Sequence, residues 1–209
     1  MKKMITNGIL VFSLLFSAAN ANAQGVEKGN FMFDLYYGAP NIGKSVAKSF
    51  TADANNYKSN NARGIGPAGV RFEYMLSDNF GLGVDFIYNS AAFDLKYDSL
   101  KQDQTLYKTY TATAKMERVR IHLRFNYHIE MTEDLDVYLG LGAGTNSRVW
   151  SIDSNEPGYE FRNTKMGTLL PVSMRFAVGL RYYFTPNIGI NTEIGLGGPL
   201  VSAGLSIKI

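Results

Sequence analysis

The stretch VRIHLRFNYHI, residues 119–129, decides the fold. Its odd positions are Val119, Ile121, Leu123, Phe125, Tyr127 and Ile129. Its even positions are Arg120, His122, Arg124, Asn126 and His128. Successive side chains of a strand point to opposite faces, so this strand has one oily face and one charged face. Charged residues cannot line a dry core in such numbers, and oily residues cannot cover a surface in water without a partner. The same rhythm runs from about Gly29 to the C-terminus.

Eight strands follow from it. They are expected near 29–39, 66–76, from Phe80, 107–130, around Val137–Ala143, 166–184, 188–196 and from Val201. Ser77-Asp78-Asn79, Met131–Asp134 and Thr185-Pro186-Asn187 are short turns rich in turn-forming residues. The segments 40–65, 91–106 and 151–165 are long and polar, and Gly197-Gly198-Pro199 is a tight connection on their side. Short turns on one end and long loops on the other, with an even strand count, place both ends of the barrel on the short-turn side. The expected fold is all-β, an eight-stranded antiparallel up-and-down transmembrane barrel. No segment carries the ~18 consecutive apolar residues of a membrane helix, so a membrane position requires a closed sheet.

The chain begins as an exported one. Lys2 and Lys3 precede the apolar run Gly8–Phe16, and Ala21-Asn22-Ala23 offers small residues at a cleavage site. Residues 1–23 are therefore expected to be a secretory signal peptide and residues 24–209 the barrel domain. Of 21 basic and 18 acidic residues, removal of 1–23 takes away two lysines and no acid, which leaves a net charge of +1. No basic face emerges, and nucleic acid is not an expected partner. The absence of Cys excludes disulfides, thiolate metal sites and a lipidated cysteine.

This pattern resembles the small eight-stranded outer-membrane barrels of the OmpA/OmpX type over essentially all of 29–209. The resemblance rests on the strand pattern, the alternating loop lengths and a last strand that ends at the final residue. It implies an outer-membrane location with both mature termini in the periplasm, a shell of outer-membrane lipids, and recognition of the C-terminal strand by barrel-assembly machinery. Such strands usually end in an aromatic residue, and here Ile209 stands in its place.

An eight-stranded barrel is only wide enough for side chains to fill it. The inward positions carry Asp34, Glu73, Asp85 and Glu193 against Arg71, Arg120, Arg124, Arg175 and Arg181. Counted from the short-turn ends, Asp34, Arg71, Glu73, Asp85, Arg124 and Glu193 fall at similar depth and are expected to form a paired charge layer, since an unpaired charge there is costly. Inward glycines such as Gly81, Gly140 and Gly142 leave room for long side chains. A plugged stem is expected in preference to a pore.

Enzymatic and cofactor signals are weak. Gly140-Leu-Gly142-Ala-Gly144 has the period of an interior glycine row and lacks the spacing of a phosphate loop. His122 and His128 share a strand face but lie about 20 Å apart at ~3.3 Å per residue, too far for one metal ion. Neither is followed two residues later by serine, as in outer-membrane lipid hydrolases. No catalytic, metal or cofactor site is expected. Aromatics near strand ends (Tyr37, Tyr74, Phe80, Tyr88, Tyr127, Trp150 and Phe184) suit membrane interfaces.

Residues 107–130 are more than twice the ~9–11 residues a spanning strand needs. A hairpin over about 91–116 should rise above the membrane, and a free edge within 92–114 could pair with a surface partner. The segment 40–65 reads as a polar loop. The expected function is non-enzymatic: presentation of external loops from a salt-bridged stem, for envelope integrity or surface contact. The alternatives are a narrow ion or small-solute channel and a soluble periplasmic ligand-binding barrel.

Overall fold

The computed structural model describes residues 26–52, 59–100, 107–157, 164–166 and 171–209. In chain order the elements are β1 (Phe31–Ala39), α1 (Ile42–Ala52), β2 (Ser59–Arg63), β3 (Ala68–Met75), β4 (Phe80–Leu100), β5 (Tyr107–Thr132), β6 (Leu135–Thr145), β7 (Ser147–Ser154), β8 (Thr164–Met166), β9 (Val172–Tyr183), β10 (Ile188–Leu196) and β11 (Val201–Lys208). The export-signal reading of residues 1–23 lies outside the described residues.

Eight of these strands form a closed ring, β1-β3-β4-β5-β6-β9-β10-β11, with every neighbour antiparallel and β11 returning to β1. Closure leaves no edge within the ring. The inward and outward sets separate as the alternation requires. Phe125, Leu141 and Ile194 are 56%, 59% and 66% exposed, whereas Arg124, next to Phe125 in sequence, is 0% exposed. The oily face is therefore the outer surface, and the polar face fills the barrel. At the short-turn end Val26, Met32, Met75 and Tyr183 pack into an apolar floor beneath the charges.

β4 and β5 continue past the ring as a long hairpin paired from Phe80↔Tyr127 to Leu100↔Tyr107. The expected free edges are covered. β2 pairs with 92–96 of β4, and β7 pairs with 112–119 of β5 and carries β8 on its far side. The extension is thus a five-stranded sheet, β2-β4-β5-β7-β8, and residues 92–100 and 107–114 belong to its interior strands β4 and β5. The long loops fold back along the hairpin because its Thr- and Tyr-rich backbone offers unpaired N–H and C=O groups.

Two further boundaries depart from the sequence reading. Residues 40–65 are not a plain loop, since they contain α1 and β2. Asn41 caps α1 by accepting from the Lys44 backbone N–H (3.0 Å), and its Nδ2 donates to the Ser90 carbonyl (2.8 Å), which fixes the helix against β4. The strand expected over 166–184 begins only at Val172; Met166 belongs to β8 and pairs with Trp150.

Candidate functional site

The ring's register brings the inward charges together. Asp34 of β1 lies opposite Arg71 of β3, and Arg71 lies opposite Asp85 of β4. Arg124 of β5 faces Gly83 and Gly142, so its side chain can reach across the lumen. Asp34, Arg71, Glu73, Asp85, Arg124, Arg175, Arg181 and Glu193 are all nearly inaccessible to solvent.

Two linked clusters result. In the lower one, Arg181 donates to Asp34 (2.8 Å), Glu73 (2.7 Å) and Asp136 (3.2 Å). His128 lies between Glu73 (2.9 Å) and Asp136 (2.8 Å). In the upper one, Glu193 accepts from Arg124 (2.6 Å), Arg71 (2.9 Å) and Arg175. Asp85 lies 3.3 Å from Arg124 and accepts a 2.5 Å bond from the Tyr36 hydroxyl. Arg71 joins the clusters by donating to Asp34 (3.0 Å) and to the Tyr138 hydroxyl (2.8 Å). Tyr138 in turn donates to Glu193 (3.1 Å).

Four guanidinium groups thus meet four carboxylates, with Asp136 and His128 added at the lower end. Each ion has several partners, which is the condition under which buried ions are tolerated. The Tyr138 ring is the hub, with the guanidinium carbons of Arg181, Arg124 and Arg71 at 4.4, 5.6 and 5.9 Å from its centroid. Glycines supply the space. A Cβ on Gly179 would meet the Tyr138 ring, one on Gly140 the Arg124 guanidinium, and one on Gly81 the Glu73 carboxylate.

Arg120 does not join this layer. It is 4% exposed but sits toward the extension, where it donates to the Gly197 carbonyl and makes no ion pair among the described residues. The sequence reading named neither Asp136 nor Tyr138 as part of the layer, although both lie on the inward parity of β6. His122 and His128 lie apart, as their spacing requires. His122 Nε2 is 2.6 Å from Ser173 Oγ, a pairing between β5 and β9 that no local motif signals. Ser173 Oγ also lies 3.0 Å from the Thr145 carbonyl, so its single proton is shared between two acceptors according to the imidazole tautomer. His122 Nδ1 is buried without a hydrogen-bond partner among the described residues. A serine activated as a nucleophile needs a base whose other ring nitrogen is held by a third group.

Above the charge layer a cavity of about 460 Å³ opens between α1, the inner face of the extension and the β10–β11 turn. Ile42 and Val46 of α1, Met116, and Trp150 of β7 supply apolar walls, and Arg118, Arg120 and Arg148 also line it. Trp150 is thus part of a cavity wall in the extension, away from the strand-end aromatic pairs Phe31–Tyr74 (4.6 Å) and Phe80–Tyr127 (5.1 Å). No group of three or more His, Cys, Asp and Glu among the described residues could hold a metal ion.

Several solved barrels are similar to the chain. The outer membrane protein OprG of Pseudomonas aeruginosa is 13% identical, over 89% of this chain and 98% of that one, with a TM-score of 0.44. The N-terminal β-barrel domain of Pseudomonas aeruginosa OprF is 12% identical, over 88% and 99%, with a TM-score of 0.43. Ail, the attachment invasion locus protein of Yersinia pestis, is 10% identical, over 87% and 99%, with a TM-score of 0.42. No curated protein matches the chain in sequence. Residues 24–209, the whole of the barrel and its extension, match the family described as a domain of unknown function, DUF2715, and the chain belongs to that family.

Proposed function

We propose that the chain is a non-enzymatic integral outer-membrane protein whose plugged barrel holds a folded external sheet clear of the lipid surface. One observation carries this reading: the closed ring is oily outside and ion-paired inside. The outer belt includes Phe72, Phe86, Ile121, Leu123, Phe125, Leu141, Phe176 and Leu205, all at least 40% exposed. That is far more contiguous apolar surface than a protein in water leaves uncovered. Lipid covers such a belt, and closure satisfies every backbone group within it.

In this reading residues 1–23 are the export signal and both ends of the mature chain are periplasmic. β11 is the strand presented to the assembly machinery. The extension above the ring is the surface-contact element, serving adhesion or envelope integrity. A narrow channel is disfavoured because the ion network spans the lumen from β1 to β10. A soluble ligand-binding barrel is disfavoured because the lumen is charged and the outside is oily.

The test is fractionation followed by a denaturing gel, run with and without boiling. The expected result is recovery in the outer-membrane fraction with a heat-dependent change in migration. Recovery as a soluble periplasmic protein with no shift overturns the membrane reading. Steady large conductance of the refolded protein in planar bilayers overturns the plug.

A further inference from the structure

We propose that the cavity above the charge layer is a binding site for a single-chain anionic amphiphile of the fatty-acid class. Its volume of about 460 Å³ is that of a small-molecule site. Its lining has two chemically distinct parts. Ile42, Val46, Phe93, Met116 and Trp150 form an apolar region. Arg118, Arg120 and Arg148 form the other, and among the described residues no acidic one lines the cavity.

The arginines are placed as an anion site would need. Arg118 and Arg120 lie two residues apart on β5, on the same face. Arg148 of β7 is directly opposite Arg118 in the strand register. Arg118 donates through Nε to Asn146 Oδ1 (2.7 Å), and Arg120 donates to the Gly197 carbonyl. Neither makes an ion pair among the described residues.

Arg120 is the sharpest sign. It is 96% buried, and its Nε has no hydrogen-bond partner among the described residues. The lumen carboxylates Asp85 and Glu193 are already shared by Arg71, Arg124 and Arg175. A buried guanidinium with an open donor and a repelling neighbour calls for an anion. The adjoining apolar wall calls for a hydrocarbon chain on it. A fatty-acid carboxylate supplies both: the head meets Arg118 and Arg120, and the chain lies along Met116 and Trp150 beneath α1.

Trp150 is the chain's single tryptophan, and it lines this cavity. The full protein, refolded in non-ionic detergent, is titrated with dibromostearic acid, whose bromines quench nearby tryptophan. The methyl ester of the same acid is the uncharged control. The proposal expects saturable quenching by the acid and only weak, non-saturating quenching by the ester. Arg118→Gln combined with Arg120→Gln should raise the midpoint by about tenfold or more, as loss of one charge-assisted contact does. Arg120→Lys should restore part of that loss. Ala114→Phe, which fills the cavity and removes no charge, should abolish saturation. Heat-dependent gel migration shows that the barrel of each variant is closed, and unchanged protease resistance of 59–66 and 147–157 shows that its extension is folded, so loss of the site is distinguished from loss of either. Equal quenching by acid and ester overturns the proposal, because it reports partition into detergent. So does an unchanged midpoint in the folded double variant, or competition by inorganic phosphate as strong as by stearate.

Discussion

Glu193 carries the upper half of the plug. Three guanidinium groups and the Tyr138 hydroxyl converge on its two oxygens. Glu193→Ala leaves Arg124 and Arg175 with Asp85 as their remaining carboxylate, and Arg71 with Asp34 and the more distant Asp85. Removing one partner of a buried ionic cluster costs about 3–5 kcal/mol. Urea unfolding in lipid vesicles should show that loss, and a change below about 1 kcal/mol would mean that water already screens the network. Gly179 tests the hub from the other side. Tyr138 lies against Gly179 in the register, so Gly179→Ala drives a methyl group into the ring that three arginines surround. Overpacking of this kind costs about 1–3 kcal/mol, read in the same unfolding experiment. The inward identity of these residues follows from parity alone. Their partners do not, because Arg181 and Glu73 are 108 residues apart and meet only once the ring is closed. Asp136 and Tyr138 were legible as inward residues, but their central place depends on Gly179 and Arg181 across β9.

The ring strands could be read in the sequence because an oily outside and a charged inside impose a strict period of two. In the extension both faces meet solvent or other strands, so the alternation fades and the extension's edges were not legible. α1 left a faint signal: Pro40-Asn41, a capping residue, then Ile42 and Val46 one turn apart. β2 is held to β4 by Arg63, whose Nε donates to Asp94 (2.8 Å), while the Thr113 hydroxyl also donates to Asp94 (2.9 Å). These bonds hold the Asp94 carboxyl below its ordinary value of 3.8. A lowered folded-state value stabilises the charged form, so the contribution is complete above the unfolded value of about 3.9 and is lost as pH falls through the folded one. Amide exchange of Asn61–Arg63 should therefore accelerate as pH falls below about 4, after correction for intrinsic rates. Asp94→Asn should exchange faster at neutral pH and lose that dependence. Deletion of 92–114 with a short turn in its place should leave the ring folded and heat-modifiable, because β3 and β6 pair with 81–88 and 122–132. The same deletion should expose 59–66 and 147–157 to protease. Loss of the heat-dependent shift would instead show that the extension is needed to close the barrel.

At the scale of the whole molecule the exterior decides where the protein resides. Leu123 sits in the middle of the oily run of β5 and is 50% exposed, so a substitution there creates no cavity. In water Leu123→Arg would be nearly neutral, as surface changes usually are. At the middle of a bilayer the same change costs about 2–4 kcal/mol, falling toward zero near the interfaces. Thr111 on the same strand is also exposed but pairs with Lys96 in the extension, clear of the expected lipid belt. Thr111→Arg is thus the matched control, with the same strand, the same new charge and a different depth. Folding into lipid vesicles, followed by heat-dependent migration and urea titration, should give a large loss for Leu123→Arg and little for Thr111→Arg. Equal effects of the two would remove the bilayer from the account, because position along β5 would then carry no energetic meaning.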